Sequence, residues 1–220
     1  MKTNQDYKNA ALASLKGHWA PAVLAALVYM FIVVGVSLIG EILEPEPQAA
    51  LSSTSALLFG AIVLFSIAFL PPLEVGIYNA YKNMLIKGDY DVLPNMFKCG
   101  FGKWGRIVWG MFLVGVFELL WTLLFIIPGL IKSFAYALTP FILVDNPELS
   151  ANEAINLSQK MMKGHKFDLF WLFLSFTGWI ILAILTLGIG LFWLVPYMYT
   201  SVSAFYQDVK ADYELKNPIN

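Results

Sequence analysis

Charge is scarce in this chain. Asp, Glu, Lys and Arg make up 13% of its 220 residues, against about 25% in an ordinary soluble domain. Neither sign prevails: 14 Lys and Arg face 15 Asp and Glu, giving a formal net charge of -1. No basic excess is therefore available to hold nucleic-acid phosphates. Cysteine occurs once, at Cys99, which excludes an intramolecular disulfide framework and a cysteine-rich metal site. Histidine occurs twice, at His18 and His165. The sequence has no His-Glu-x-x-His, Cys-x-x-Cys, nucleophile elbow or phosphate loop. No catalytic residue, metal ligand or cofactor is expected. Apolar residues fill the space these absences leave, at 59% of the chain, against roughly 45–50% in soluble domains. That excess rules out disorder and makes a bilayer the expected solvent.

The apolar residues gather into runs that approach the roughly 20 residues an α-helix needs to cross a hydrocarbon core. Trp19 to Gly40 carries no charge, and it is too long for a signal-peptide core, so it is expected to be retained. A second run starts near Ser55, meets Pro71-Pro72 and resumes to about Ile86. The third covers Trp104 to Ile127, with Glu118 as its one charge. Pro128-Gly129 predicts a tight turn into a fourth, Leu130 to Val144, which the breaker Asp145-Asn146-Pro147 stops. The fifth is Leu169 to Leu187, and Gly188-Ile189-Gly190 turns it into the sixth, Leu191 to about Tyr206. The expected fold is an all-α, polytopic bundle of six transmembrane helices forming one membrane domain over 1–220.

Six spans put both termini on one side. Thirteen of the 14 cations then fall on that side: Lys2, Lys8, Lys16, Lys82, Lys87, Lys98, Lys103, Arg106, Lys160, Lys163, Lys166, Lys210 and Lys216. The other side keeps Lys132 and an acidic loop with Glu41, Glu44 and Glu46. By the positive-inside rule both termini are cytoplasmic. Trp19, Trp104, Trp109 and Trp171 then belong near inner ends and Trp193 near an outer end, as interface anchors.

A short pattern precedes each outward span: Lys16-Gly17-His18-Trp19, Phe101-Gly102-Lys103-Trp104 and Lys163-Gly164-His165-Lys166. After two outer turns, Gly129-Leu130 leads to Tyr136 and Thr139, and Gly190-Leu191 to Tyr197 and Thr200, at identical offsets. These matches predict three repeated helical hairpins over 1–87, 88–147 and 148–220, each opened by a short cytoplasmic interfacial helix. In the third, Ser150 and Glu153 form a capping box, and Ala154, Leu157, Met161 and Met162 make an apolar stripe opposite Lys160 and Lys163.

All three inward spans contain proline, at Pro71-Pro72, Pro140 and Pro196, whereas Pro21 sits in a tolerated first turn. Two readings follow: helices broken around a site, or kinks made for packing. Thr139 and Thr200 are placed to help satisfy the freed carbonyls. Glu118 lies in mid-span, where a charge costs about 2.5–3.5 kcal/mol, so it must face the bundle, take a proton or find a partner. Lys132 is nearer the outer end, and Glu118 lies roughly 14 Å from that end at about 1.5 Å per residue. Lys132 is therefore expected to snorkel outward. Glu74, just past the Pro71-Pro72 break, joins Glu118 and Asn79 as a candidate intramembrane polar site for a cation, proton or headgroup. Hydrogen-bonded neutral carboxyls are the plainer alternative. Lys16, His18, Lys103, Lys163, His165 and Lys166 are candidate contacts for anionic lipid headgroups, or plain topological charge. Cys99 is expected to be cytoplasmic and reduced.

Phe125-Ile126-Ile127-Pro128-Gly129, Thr139-Pro140-Phe141-Ile142-Leu143 and Asp145-Asn146-Pro147-Glu148 continue into Met161-Met162-Lys163-Gly164-His165-Lys166. Leu174-Ser175-Phe176-Thr177-Gly178-Trp179, Leu185-Thr186-Leu187-Gly188-Ile189-Gly190 and Pro196-Tyr197 follow. Together these resemble a broad bacterial family of multi-pass membrane proteins known as domain of unknown function 975. The likeness is dense from about Trp121 to the tail. It implies a bacterial plasma-membrane location and an all-helical fold, and it supplies no catalytic residue. The expected role is non-enzymatic, through contacts with membrane lipids, a protein partner or a second copy of the chain. The alternatives are a small solute or ion transporter using Glu118, and an immunity or resistance factor against a membrane-active peptide.

Overall fold

The computed structural model describes residues 2–45 and 54–218, and every regular element among them is an α-helix. Glu46, part of the expected acidic rim, lies outside the described residues. The order is α1 (Asn4–Leu15), α2 (Trp19–Leu43), α3 (Thr54–Lys87), α4 (Val92–Phe101), α5 (Trp104–Leu124), α6 (Ile126–Tyr136), α7 (Thr139–Asp145), α8 (Ala151–Met161), α9 (Lys166–Leu174), α10 (Thr177–Leu185) and α11 (Leu191–Lys216).

Among the described residues, five stretches are long and apolar enough to cross a membrane: α2, α3, α5, α6 with α7, and α9 with α10. The run expected as a sixth span forms α11, 26 residues long, but it is less apolar and is not among the five. Its middle carries Thr200, Ser201 and Ser203, all buried, and each hydroxyl donates to the carbonyl four residues earlier. These hydroxyls are satisfied inside their own helix, so α11 stands in the interior at little polar cost.

Local chemistry explains the boundaries. Thr3 with Asp6 caps α1, and Ser150 with Glu153 caps α8, as expected for the latter. Gly17 and Gly164 adopt positive φ of 83° and 94°, which ends α1 and the α8 segment in the left-handed region open to glycine. The next residue donates its N–H back at each corner, His18 to Leu15 and His165 to Met162. The Lys-Gly-His motif is thus a helix-to-helix corner.

Of the two readings of the prolines, a break holds at Pro140, which opens α7 after an interruption at 137–138, and not at the others. α3 runs unbroken through Pro71-Pro72 and α11 through Pro196. Trp104 explains part of this: its indole N–H donates at 2.8 Å to the Ala68 carbonyl, the acceptor that Pro72 leaves free. A second interruption, at 175–176, falls in a stretch without proline. Thr200 bonds the carbonyl of Pro196 itself, and the buried Thr139 hydroxyl has no partner among the described residues. Neither does the task expected of it. The second outer turn also comes early. Phe125 reverses the chain in an extended conformation, and Pro128 lies inside α6.

Packing concentrates at one end of the hairpins. In α2 the buried residues are Ala22, Ala25 and Ala26, in α3 burial begins at Pro72, and in α5 it stops at Val114. Beyond that zone Ile42, Leu64, Leu123, Ile126 and Leu187 are exposed, an apolar surface compatible with membrane insertion. The three short helices tie the packed end together. α4 lies on α3, α8 on α5 and α7, and α1 on α11. The α3–α4 contact is backbone to backbone, since a Cβ on Gly76 would stand 2.0 Å from the Met96 carbonyl oxygen.

This docking corrects the expectation of helices lying apart at headgroup level. Met161, Met162 and Ala154 of the expected interfacial stripe are buried against the protein. Lys132 does not snorkel: its ammonium donates to Gln159 of α8 at 3.2 Å and sits 4.7 Å from the centre of the Trp121 ring. Trp19 and Trp193, expected at opposite interfaces, line one groove with Trp179. The cause is α1, which lies along α11 and brings the start of α2 to Leu194 and Tyr197.

Candidate functional site

Glu74 and Glu118 line the same cavity, of about 290 Å³. α3 supplies Pro71, Glu74 and Tyr78, and α5 supplies Met111, Val114, Gly115 and Glu118. Tyr136, Ala137 and Pro140 come from either side of the α6–α7 interruption, and α9 and α11 complete the wall with Leu169, Phe173 and Val202. The interruption itself is held by Ser158 of α8. Its hydroxyl donates to the Ala135 carbonyl at 2.8 Å and accepts from the Leu138 N–H at 3.2 Å. One side chain thereby serves both an acceptor and a donor that a continuous helix would have paired.

Chemically the cavity holds two acidic groups among aromatic and apolar walls. Two ionised carboxylates sharing one low-dielectric site repel each other, so a proton or a cation must accompany them. The aromatic faces of Tyr78, Tyr136 and Phe173 suit an organic cation, which ring quadrupoles attract. No group of three His, Cys, Asp or Glu among the described residues is arranged to hold a metal ion.

Asn79 does not join this site. It is fully buried, donates to the Val75 and Pro140 carbonyls at 2.8 and 2.9 Å, and accepts from Lys82 at 2.6 Å. Its place is a bridge from α3 to α7. It reaches the cavity wall only through the Pro140 backbone, and aromatic rings of α3, α7 and α11 pack around it. Tyr78 meets Phe141 and Tyr199 edge-on, Tyr81 stacks on Tyr199, and Phe141 stacks on Tyr206 with centroids 4.5 Å apart.

Beyond that layer stands a group missed in the sequence. Asp145 pairs with the buried Lys82, accepts from the Tyr206 hydroxyl at 2.8 Å and from Lys210 at 3.5 Å. It joins α3, α7 and α11 in one ion-pair node. Asp145 reads in sequence as a turn former before Asn146-Pro147. The available signal was Lys82, a cation inside a long apolar helix that needed an anion.

The six expected headgroup residues divide. His18 stacks flat on Tyr90, Lys103 donates to the Pro147 carbonyl at 3.0 Å, and His165 stands between Asp168 and Asp212 at 3.3 and 3.1 Å. Lys16 and Lys163 are exposed and Lys166 is half-buried. Near the termini, burial works against the Asp208 charge. The Tyr7 hydroxyl at 2.6 Å and the Lys2 backbone N–H at 2.8 Å outweigh it, so the carboxyl sits below its ordinary value of 3.8. Lys8 donates to the Ser175 carbonyl at the α9–α10 interruption and lies 4.4 Å from the Phe176 ring centre; burial lowers its pKa.

Neither curated proteins nor solved structures match this chain. The family described as "Protein of unknown function (DUF975)" does, over residues 105–213, which hold Glu118 and Asp145 but not Glu74 or Lys82. From the first turn of α5 to the last turns of α11, the chain resembles that family of unknown function.

Proposed function

We propose that this chain is a non-enzymatic protein of the bacterial plasma membrane that binds a small organic cation between Glu74 and Glu118 and carries it across the bilayer. The observation that carries this reading is that two costly carboxylates, 44 residues apart in sequence, face one cavity. The aromatic layer from Tyr78 to Tyr206 closes the cavity toward the Asp145 node, as one side of an alternating-access path would be closed. The α6–α7 and α9–α10 interruptions give hinge points beside it.

The architecture in this reading is six spans in three hairpins with both termini cytoplasmic. Equivalent backbone geometry supports the repeat. His18, Lys103 and His165 precede their outward helices with φ of -127°, -128° and -110°. Gly129 closes on Thr122 and Gly190 on Ala183, each seven residues back across an outer turn. Each short helix packs on the hairpin before it, with α1 on α11 closing the ring.

The test is flux. Proteoliposomes should accumulate radiolabelled tetraethylammonium under an inside-negative potential, and Glu118→Gln or Glu74→Gln should reduce the initial rate at least tenfold. Unchanged rates in the double variant would refute the assignment. A second reading, contact with anionic lipid, is favoured by the exposed Lys16 and Lys163. It predicts co-purifying phosphatidylglycerol that Lys16→Gln with Lys163→Gln depletes.

A further inference from the structure

A second cavity, about 570 Å³, lies at the lysine-rich end between the end of α3, α4, the α4–α5 corner and the end of α7. Its wall carries four ammonium groups from three elements: Lys82 and Lys87 of α3, Lys98 of α4, and Lys103 at the corner. Two carboxylates face them. Asp145 is already matched by Lys82, Lys210 and the Tyr206 hydroxyl. Asp89 turns one oxygen to the Asp91 N–H at 3.2 Å. Lys87 and Lys98 are exposed, and neither has a carboxylate partner among the described residues. Lys103 gives one of its three donors to the Pro147 carbonyl and keeps two.

The polar lining shows a matching want. The side-chain nitrogen of Asn95, which lines this cavity, is buried and has no acceptor among the described residues. A buried donor left unpaired costs free energy that an acceptor oxygen in the cavity would offset. Several cations and an orphan amide donor around one space form a receptor for a ligand with several acceptor oxygens and at least one negative charge. Phosphate is that chemistry.

We propose that this cavity binds a phosphate group, with Lys87, Lys98, Lys103 and Asn95 as its donors. Two sources present the same group: a phosphorylated solute, and the headgroup of an anionic phospholipid. The site is separate from the Glu74–Glu118 cavity, shares no lining residue with it, and stands whether or not that cavity carries a cation.

Cys99, the chain's one cysteine, lines this cavity and serves as its native reporter. The experiment measures the rate at which neutral N-ethylmaleimide alkylates Cys99 in delipidated, detergent-purified protein, with pyrophosphate or with chloride at equal ionic strength. Pyrophosphate should slow the reaction at least fivefold and chloride should not. Lys87→Gln with Lys98→Gln should abolish the protection, and Asn95→Leu should weaken it while the unfolding temperature holds. Lys160→Gln, at the far end of α8, should leave it intact. In nanodiscs, protection by phosphatidylglycerol but not by phosphatidylcholine, whose phosphate is offset by its own ammonium, makes the ligand a headgroup. Protection by pyrophosphate alone makes it a solute. Absence of protection from both, or equal loss in the Lys160 variant, overturns the proposal.

Discussion

Asp145 sits one-fifth exposed against a Lys82 that is almost wholly buried, and the two charges answer each other across α7 and α3. Removing one partner of such a pair strands the other, at a typical cost of about 3–5 kcal/mol. Asp145→Leu should therefore lower the thermal midpoint in detergent sharply, and adding Lys82→Met should restore most of the loss. A double variant no more stable than the single one would show that the pair is not the source. The Asp208 carboxyl, held below 3.8 by Tyr7 and Lys2, contributes stability that is complete at neutral pH. That contribution fades as pH falls through its lowered folded-state value, because the unfolded chain takes up the proton first. Asp208→Asn should flatten this acid-side loss of α1 docking, read by proteolysis of the N-terminal segment between pH 5 and 3. Residues of this kind differ in how far the sequence reveals them. Glu74 and Glu118 stand alone in apolar runs, where hydration cost alone demands an interior partner. Asp145 hides in a turn signature, and Asn79 looks like a cavity residue until its carbonyl acceptors are known.

At the scale of elements, helix existence was legible and helix interruption only in part: Pro140 marks one break, and no proline marks the one at 175–176. Apolar runs of the right length, a Ser150–Glu153 box and Lys-Gly-His corners locate most boundaries. Proline misleads because its effect depends on what neighbours offer the freed carbonyl, and Trp104 offers its indole N–H from another helix. Trp104→Phe should cost about 0.5–1.5 kcal/mol, the usual net worth of one hydrogen bond, with wild-type stability contradicting that role. The short helices were expected at the surface because their charges and apolar stripes fit headgroups as well as protein. Glycine decides the matter for α4. A methyl group on Gly76 or Gly100 would meet backbone carbonyl oxygen of the facing helix at 2.0 or 2.1 Å. Gly100→Ala should thus cost about 1–3 kcal/mol or more, as overpacking does, and loosen α4 enough to speed alkylation of Cys99. An unchanged alkylation rate would contradict the close packing.

Seen whole, the molecule is packed at one end and exposes apolar helices compatible with a membrane at the other. Hydropathy and length made the helical membrane class legible from sequence. The ring of short helices clasping neighbouring hairpins was not, because it depends on contacts between residues far apart in sequence, such as Tyr7 with Asp208, 201 residues on. The proposed orientation has a direct check in Cys99: a membrane-impermeant maleimide should label inverted vesicles and spare right-side-out ones. The reverse pattern would invert the topology. The cation site is the central claim, and calorimetric titration of purified protein with tetraethylammonium tests it most directly. Saturable binding should weaken at least tenfold in Glu74→Gln and in Glu118→Gln and vanish in the double variant, while Asn79→Ala, outside the cavity, keeps it in whatever fraction folds. Binding that survives loss of both carboxylates would contradict the account.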